Sequence, residues 1–154
     1  MRGLWRGLAT LGPVGYAPIA PATAGSAVVA LIAWFIPAPA LAEALALLAV
    51  GTIVAAWIAG EAEKDLGHDA KPIVVDEAVG QCLALLFVPH TIVAYILAFL
   101  LFRVFDVWKP LGAREAQKFS GGVGIVADDV IAGLTACAAF HVGWWAARSL
   151  GWMA

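Results

Sequence analysis

The chain has 154 residues, 63% of them apolar and 13% charged, with a formal net charge of -2 and a mean hydropathy of +0.92. That composition excludes an ordinary water-soluble monomer, and the small negative charge, with no dense basic patch, excludes a nucleic-acid binder. The length suits a single domain over residues 1–154, an all-α bundle packed helix on helix and against a lipid bilayer.

Met1 to Leu11 carries Arg2, Arg6 and Trp5 and reads as an interfacial helix. Its apolar run is broken by Gly12 and Pro13 before a signal-peptide core develops, so no cleavage is expected. A first apolar helix is predicted from Ser26 to Ile36, then a turn at Pro37, Ala38 and Pro39, then a second helix from Leu41 to Ala59. The second is about 28 Å long at the helical rise, enough to span hydrocarbon. Gly60 to Asp76 is the most polar stretch, with Glu61, Glu63, Lys64, Asp65, His68, Asp69 and Lys71, and belongs in water or at headgroups.

Apolar sequence resumes from Val79 to Phe102 and is interrupted by Pro89 and His90. The interruption is either a kink in one spanning helix or a turn between two shorter ones. A single crossing would separate Asp76 and Glu77 from Asp106, whereas a break at Pro89 brings them to one face. The break also gathers Arg2, Arg6, Lys64, Lys71, Arg103, Lys109, Arg114 and Lys118 on one side, leaving only Arg148 elsewhere. Such asymmetry marks the cytosolic side. A last helix is predicted from Val130 to about Ala147, with Ala132, Gly133 and Ala136 allowing close approach, and Trp144, Trp145 and Trp152 suited to the far interface. The expected architecture is a compact membrane-embedded bundle of helical hairpins with an acidic site at its cytosolic face.

Five of the eleven acids fall in three clusters beside apolar helices: Asp76 with Glu77, Asp106 alone, and Asp128 with Asp129. Burying an unpaired carboxylate costs several kcal/mol or more, so the clusters call for a cation. Oxygen ligands select Mg²⁺, Ca²⁺ or Mn²⁺, with magnesium leading, and no His/Cys spacing suggests zinc. At a helix N-terminus one member of the Asp128/Asp129 pair can ligate a metal while the other caps or orients it. The preceding Gly121, Gly122 and Gly124 would leave backbone amides open to an anion. Lys109 follows Asp106 by about one helical turn, placing a cation beside a metal-binding carboxylate, a combination suited to phosphate.

Cys82 and Cys137 read as small hydrophobes, and neither has an arginine six residues on to form a phosphate loop. His68 reads as a solvated loop residue, His90 as part of the turn, and His141 as a bundle hydrogen-bonder; none has ligand spacing. A rival reading is a membrane cation transporter or channel component that uses the clustered acids as an ion pathway. The placement of the acids at helix ends argues against it.

The segments GYAPIAPATAGS, IVVDEAVG, FRVFDVWKP and GGVGIVADDVIAG, in this order and spacing, resemble the phosphatidylglycerophosphatase A family of magnesium-dependent lipid phosphatases. The resemblance covers nearly the whole chain. It implies hydrolysis of the terminal phosphomonoester of phosphatidylglycerophosphate to phosphatidylglycerol and inorganic phosphate, in glycerophospholipid biosynthesis. It also implies a Mg²⁺ cofactor and a multi-pass bundle in the bacterial inner membrane whose active site faces the cytosol. Asp76, Glu77, Asp106, Asp128 and Asp129 match the family's metal and catalytic acids, and Arg103 and Lys109 its basic positions. Thr23, Gly25 and Ser26 match its N-terminal loop, and with Gly121 and Gly122 they complete the expected phosphate-binding set. Two positions depart from the pattern, Ala22 where glycine is usual and Leu111 after the Lys-Pro pair. The expected division of labour has Asp76, Asp106 and one of Asp128/Asp129 binding the metal and Glu77 acting as base. Arg103 or Lys109 would offset charge on the phosphoryl oxygens, and grooves between helices would hold acyl chains.

Overall fold

Residues 2–68, 70–109 and 112–151 are described by the computed structural model. Their regular elements are all helical: α1 (Arg2–Ala9), α2 (Pro21–Trp34), α3 (Leu41–Leu66), α4 (Val75–Ala84), α5 (Ile92–Trp108), α6 (Ala113–Ala116) and α7 (Gly122–Ser149), with a 3-10 turn at Val14–Tyr16. The predicted all-α architecture is the one observed, a compact helical bundle.

Local chemistry explains the helix ends, including those that differ from expectation. Pro21 takes the first position of α2, where its missing N–H costs nothing, so the helix starts five residues before Ser26. Pro37 and Pro39 stop it. The Glu43 carboxylate accepts from the Ala40 N–H at 3.2 Å and closes the first turn of α3. That helix runs seven residues beyond Ala59, because Glu61, Ala62, Glu63 and Lys64 are strong helix formers, and it ends at Gly67, whose φ of 94° suits glycine. The start of α7 lies eight residues before Val130, so the glycine run is not an open loop. Instead, a Cβ on Gly122 would run into the Ala56 carbonyl, and glycine there lets α7 begin against α3.

The interruption at Pro89 is a turn, not a kink. Helix α4 ends at Ala84, Phe87 turns the chain with φ 58°, and Thr91 caps α5 by accepting from the Ala94 N–H at 3.3 Å. His90 Nε2 pairs with the Trp34 carbonyl at 2.7 Å and His141 Nε2 with the Leu86 carbonyl at 2.8 Å, tying the turn to α2 and α7. Helices α4 and α5 are therefore a hairpin.

Helices α3 and α7 are long and apolar enough to cross a membrane. Leu47, Val50, Ile53 and Trp57 of α3 are exposed, an apolar face that water would penalise and lipid would not. Inside, Ala59, Val79 and Val126 join α3, α4 and α7, while Ala84, Phe102, Ala132 and Ala136 join α4, α5 and α7. A Cβ on Gly80 would strike the Phe102 ring, and one on Gly133 the Gly80 carbonyl, so these glycines set how closely α4 approaches α5 and α7. Trp5 packs on Trp57 at 4.7 Å, seating α1 against α3. Trp144 stacks on Phe140 at 5.3 Å, Trp145 is exposed, and Trp152 lies outside the described residues, as do Asp69 and Leu111.

Candidate active site

The hairpin brings the first turn of α4, the last turns of α5 and the second turn of α7 to one end of the bundle. Glu77, Asp106 and Asp129 each offer a carboxylate oxygen there, all within 4.8 Å of one another. Asp76, Glu77, Asp128 and Asp129 are buried. Arg103 stands among them: its guanidinium pairs with Glu77, with Asp106 at 2.9 Å, and donates to Ser26 Oγ at 3.1 Å. The Ser26 hydroxyl also donates to Glu77 at 3.3 Å. Lys109, in a left-handed conformation at the end of α5, pairs with Asp128.

This is five acids against two cations, and like charges so close cannot all ionise without further positive charge. Burial first, and then the charge of Asp106, raises Glu77 to about 7, with Arg103 opposing. Asp76 is raised well above its ordinary value, first by burial and then by Glu77. Among the described residues, Asp76 Oδ1, Asp128 Oδ1 and Asp129 Oδ2 are buried without a hydrogen-bond partner. Orphaned carboxylate oxygens next to three converging carboxylates suit a hard divalent cation. The cluster can hold a metal.

Several expectations change in detail. The three carboxylates that converge are those of Glu77, Asp106 and Asp129, with Asp76 and Asp128 outside that group. Asp128 and Asp129 are the seventh and eighth residues of α7 rather than its cap. Thr23, Gly25 and Ser26 are helical, not in a loop; Gly25 is packed against Val74, and Ser26 reaches Glu77 and Arg103. Gly121 precedes α7 with a φ of 70° that suits glycine, and Gly122 is wedged against α3, so one glycine serves the turn and the other the packing. The five clustered acids gather at one end and do not form a file along the bundle, which argues against the ion-pathway alternative.

Gln81, fully buried, has neither its amide nitrogen nor its oxygen partnered among the described residues. Its signal was legible: a lone amide in an apolar run, one helical turn from Glu77.

An all-helical bundle with a buried carboxylate cluster, two cations and an apolar flank has the equipment of a metal-assisted enzyme acting on phosphate esters. The sequence pattern of Phosphatidylglycerophosphatase A matches residues 7–144, and the chain belongs to that family; it is a phosphatase. It is 41% identical over 140 residues to a putative phosphatidylinositol-3-phosphatase of Bacteroides thetaiotaomicron, covering 85% of this chain and 87% of that one. It is 32% identical over 138 residues to phosphatidylglycerophosphatase A of Escherichia coli, covering 87% and 80%. Against the Haemophilus influenzae protein of the same name, identity is 36% over 97 residues, 60% of each chain. No solved structure matches.

Proposed function

We propose that the chain hydrolyses the terminal phosphomonoester of phosphatidylglycerophosphate, releasing phosphatidylglycerol and inorganic phosphate, with Mg²⁺ held by Glu77, Asp106 and Asp129. The observation that carries this reading is the convergence of those three carboxylates within 4.8 Å beside Arg103 and Lys109. Those three residues would hold the cation, drawing their oxygens closer together as it binds. Bound there, the cation would polarise the phosphoryl oxygens and make a bound water more acidic.

The remaining work falls to the chain's own groups. A guanidinium has five N–H donors; Arg103 donates to Glu77 and Ser26 and pairs with Asp106, and its other donors would serve phosphate oxygens. Lys109 supplies a second cation, and Thr23, one turn from Ser26 on α2, a hydroxyl. Under this reading Glu77 is taken up by the metal, and Asp76, outside the group of three and with Oδ1 unpartnered, would accept the proton of the attacking water in its place as the new P–O bond forms. The same proton then serves the departing alcohol as the ester P–O bond breaks. Phe102, Ala132 and the glycine contacts hold the three helices rigid beneath these groups, so geometry is set before substrate arrives.

The mature setting under this reading is a bacterial inner membrane with the acidic end facing the cytosol, where the basic residues gather. The relative named for phosphatidylinositol 3-phosphate supplies a competing headgroup. Phosphate release from dioleoyl phosphatidylglycerophosphate and from dioleoyl phosphatidylinositol 3-phosphate, in the same mixed micelles with Mg²⁺, tests the assignment. Faster turnover of the first is expected; exclusive turnover of the second, or of neither, overturns it.

A further inference from the structure

Helices α2 and α5 touch at two levels. At the acidic end Arg103 donates to Ser26 at 3.1 Å. At the other end the Trp34 and Tyr95 rings meet edge to face at 5.0 Å. Ser26 and Trp34 are eight residues apart, about 12 Å of helix. Along the two helices runs an open groove of about 460 Å³, lined on the α2 side from Ala27 to Phe35 and on α5 from Ile92 to Phe99.

The helical spacing of this lining ties the groove to the acids. On α5 the stripe Ile92, Tyr95, Ile96 and Phe99 continues at the next i+4 and i+7 positions into Arg103 and Asp106. On α2 the stripe of Ala27, Ala30, Leu31 and Trp34 continues backwards by one turn into Thr23. One face of each helix is therefore apolar along the groove and polar where it reaches the site. A phosphorylated lipid has the same order, an uncharged chain joined to an anionic head. Small residues on α2 leave room, and Trp34 and Tyr95 form part of the wall.

We propose that this groove binds an acyl chain of the substrate lipid, with its phosphate at Arg103, so that α2 and α5 read the lipid's tail while α4 and α7 read its head. The assignment rests on the phosphatase reading of the acidic site. It makes Ala27, Ala30, Leu31, Tyr95, Ile96 and Phe99 determinants of chain selectivity, distant from the reacting phosphorus.

Two variants fill the groove from opposite walls, Ala30→Trp from α2 and Ile96→Trp from the exposed side of α5, where the core is not disturbed. Each is assayed on dihexanoyl and dioleoyl phosphatidylglycerophosphate, and each is photolabelled with a lipid carrying a diazirine midway along one acyl chain. The expected result is that the ratio of dioleoyl to dihexanoyl kcat/KM falls about tenfold. Labelling of Leu31, Tyr95 or Phe99 in the unaltered protein should be lost in both variants. Equal effects on both substrates, or label confined to the outer faces of α3 and α7, overturns the groove assignment. If the unaltered protein hydrolyses neither lipid, the phosphatidylglycerophosphate reading fails instead, and the labelling pattern alone decides the groove.

Discussion

Arg103 on α5 reaches Glu77 on α4 across the mouth of the hairpin, and the same guanidinium holds Asp106 at 2.9 Å one helical turn along its own helix. Neither the cation nor its partners have much solvent, with 14% of the Arg103 side chain and 8% of Glu77 exposed. Removing one member of such a set strands the others as buried charges, which costs about 3–5 kcal/mol.

Arg103→Met should therefore destabilise the protein by about 3 kcal/mol in denaturant unfolding from detergent micelles. Adding Glu77→Gln should recover part of that loss, because the stranded carboxylate is gone. Additive losses in the double variant would show that the two side chains are not coupled.

The α4–α7 contact depends on absent side chains. A Cβ at Gly133 would meet the Gly80 carbonyl and Leu83. Gly133→Leu should push the helices apart at a cost of about 1–3 kcal/mol, and should weaken divalent-cation binding, since Glu77 and Asp129 ride on those two helices. Unchanged unfolding and unchanged cation affinity would contradict the packing account.

Gln81 gives the opposite sign. With both polar atoms buried and unpartnered among the described residues, Gln81→Met removes a desolvation cost without breaking a hydrogen bond. Stability should be equal or higher by about 1 kcal/mol. A clear drop would reveal a partner for the amide, such as an ordered water.

Topology can be read with single cysteines after Cys82 and Cys137 are replaced by Ala. Ala38 precedes α3 and His68 follows it, at opposite ends of a helix of 26 residues, about 39 Å long. Cysteines at 68 and 115 should react with a membrane-impermeant maleimide from one side of sealed vesicles, and a cysteine at 38 from the other. Reaction of all three from one side would rule out a crossing by α3.

Much of this arrangement was legible in the residues. The three acidic clusters stand out because ionised groups are rare in so apolar a chain, and Pro89 marks the turn because proline removes a backbone donor. The positive-inside pattern chose the hairpin over the single span. What sequence did not reveal was helix phase and approach. Gly121, Gly122 and Gly124 look like a loop by composition, and only the Ala56 carbonyl beside Gly122 shows why α7 starts there. Thr23 and Ser26 look like a loop after Pro18 and Pro21, yet Pro21 begins a helix. Whether Glu77 or Asp76 joins Asp106 and Asp129 turns on a rotation of about 100° between neighbours on α4, which the packing of Gly80 against Phe102 decides.

The most direct measurement is phosphate release from dioleoyl phosphatidylglycerophosphate by the purified protein and its Asp129→Asn variant, with cation binding followed in parallel by calorimetry. The unaltered protein should release phosphate, stop when EDTA is added, and resume with excess Mg²⁺. Asp129→Asn should remain folded, lose measurable Mg²⁺ binding, and release phosphate about a hundredfold more slowly or worse. Release that persists in EDTA, or an Asp129→Asn protein that turns over near the unaltered rate, would contradict a metal-assisted site built from Glu77, Asp106 and Asp129.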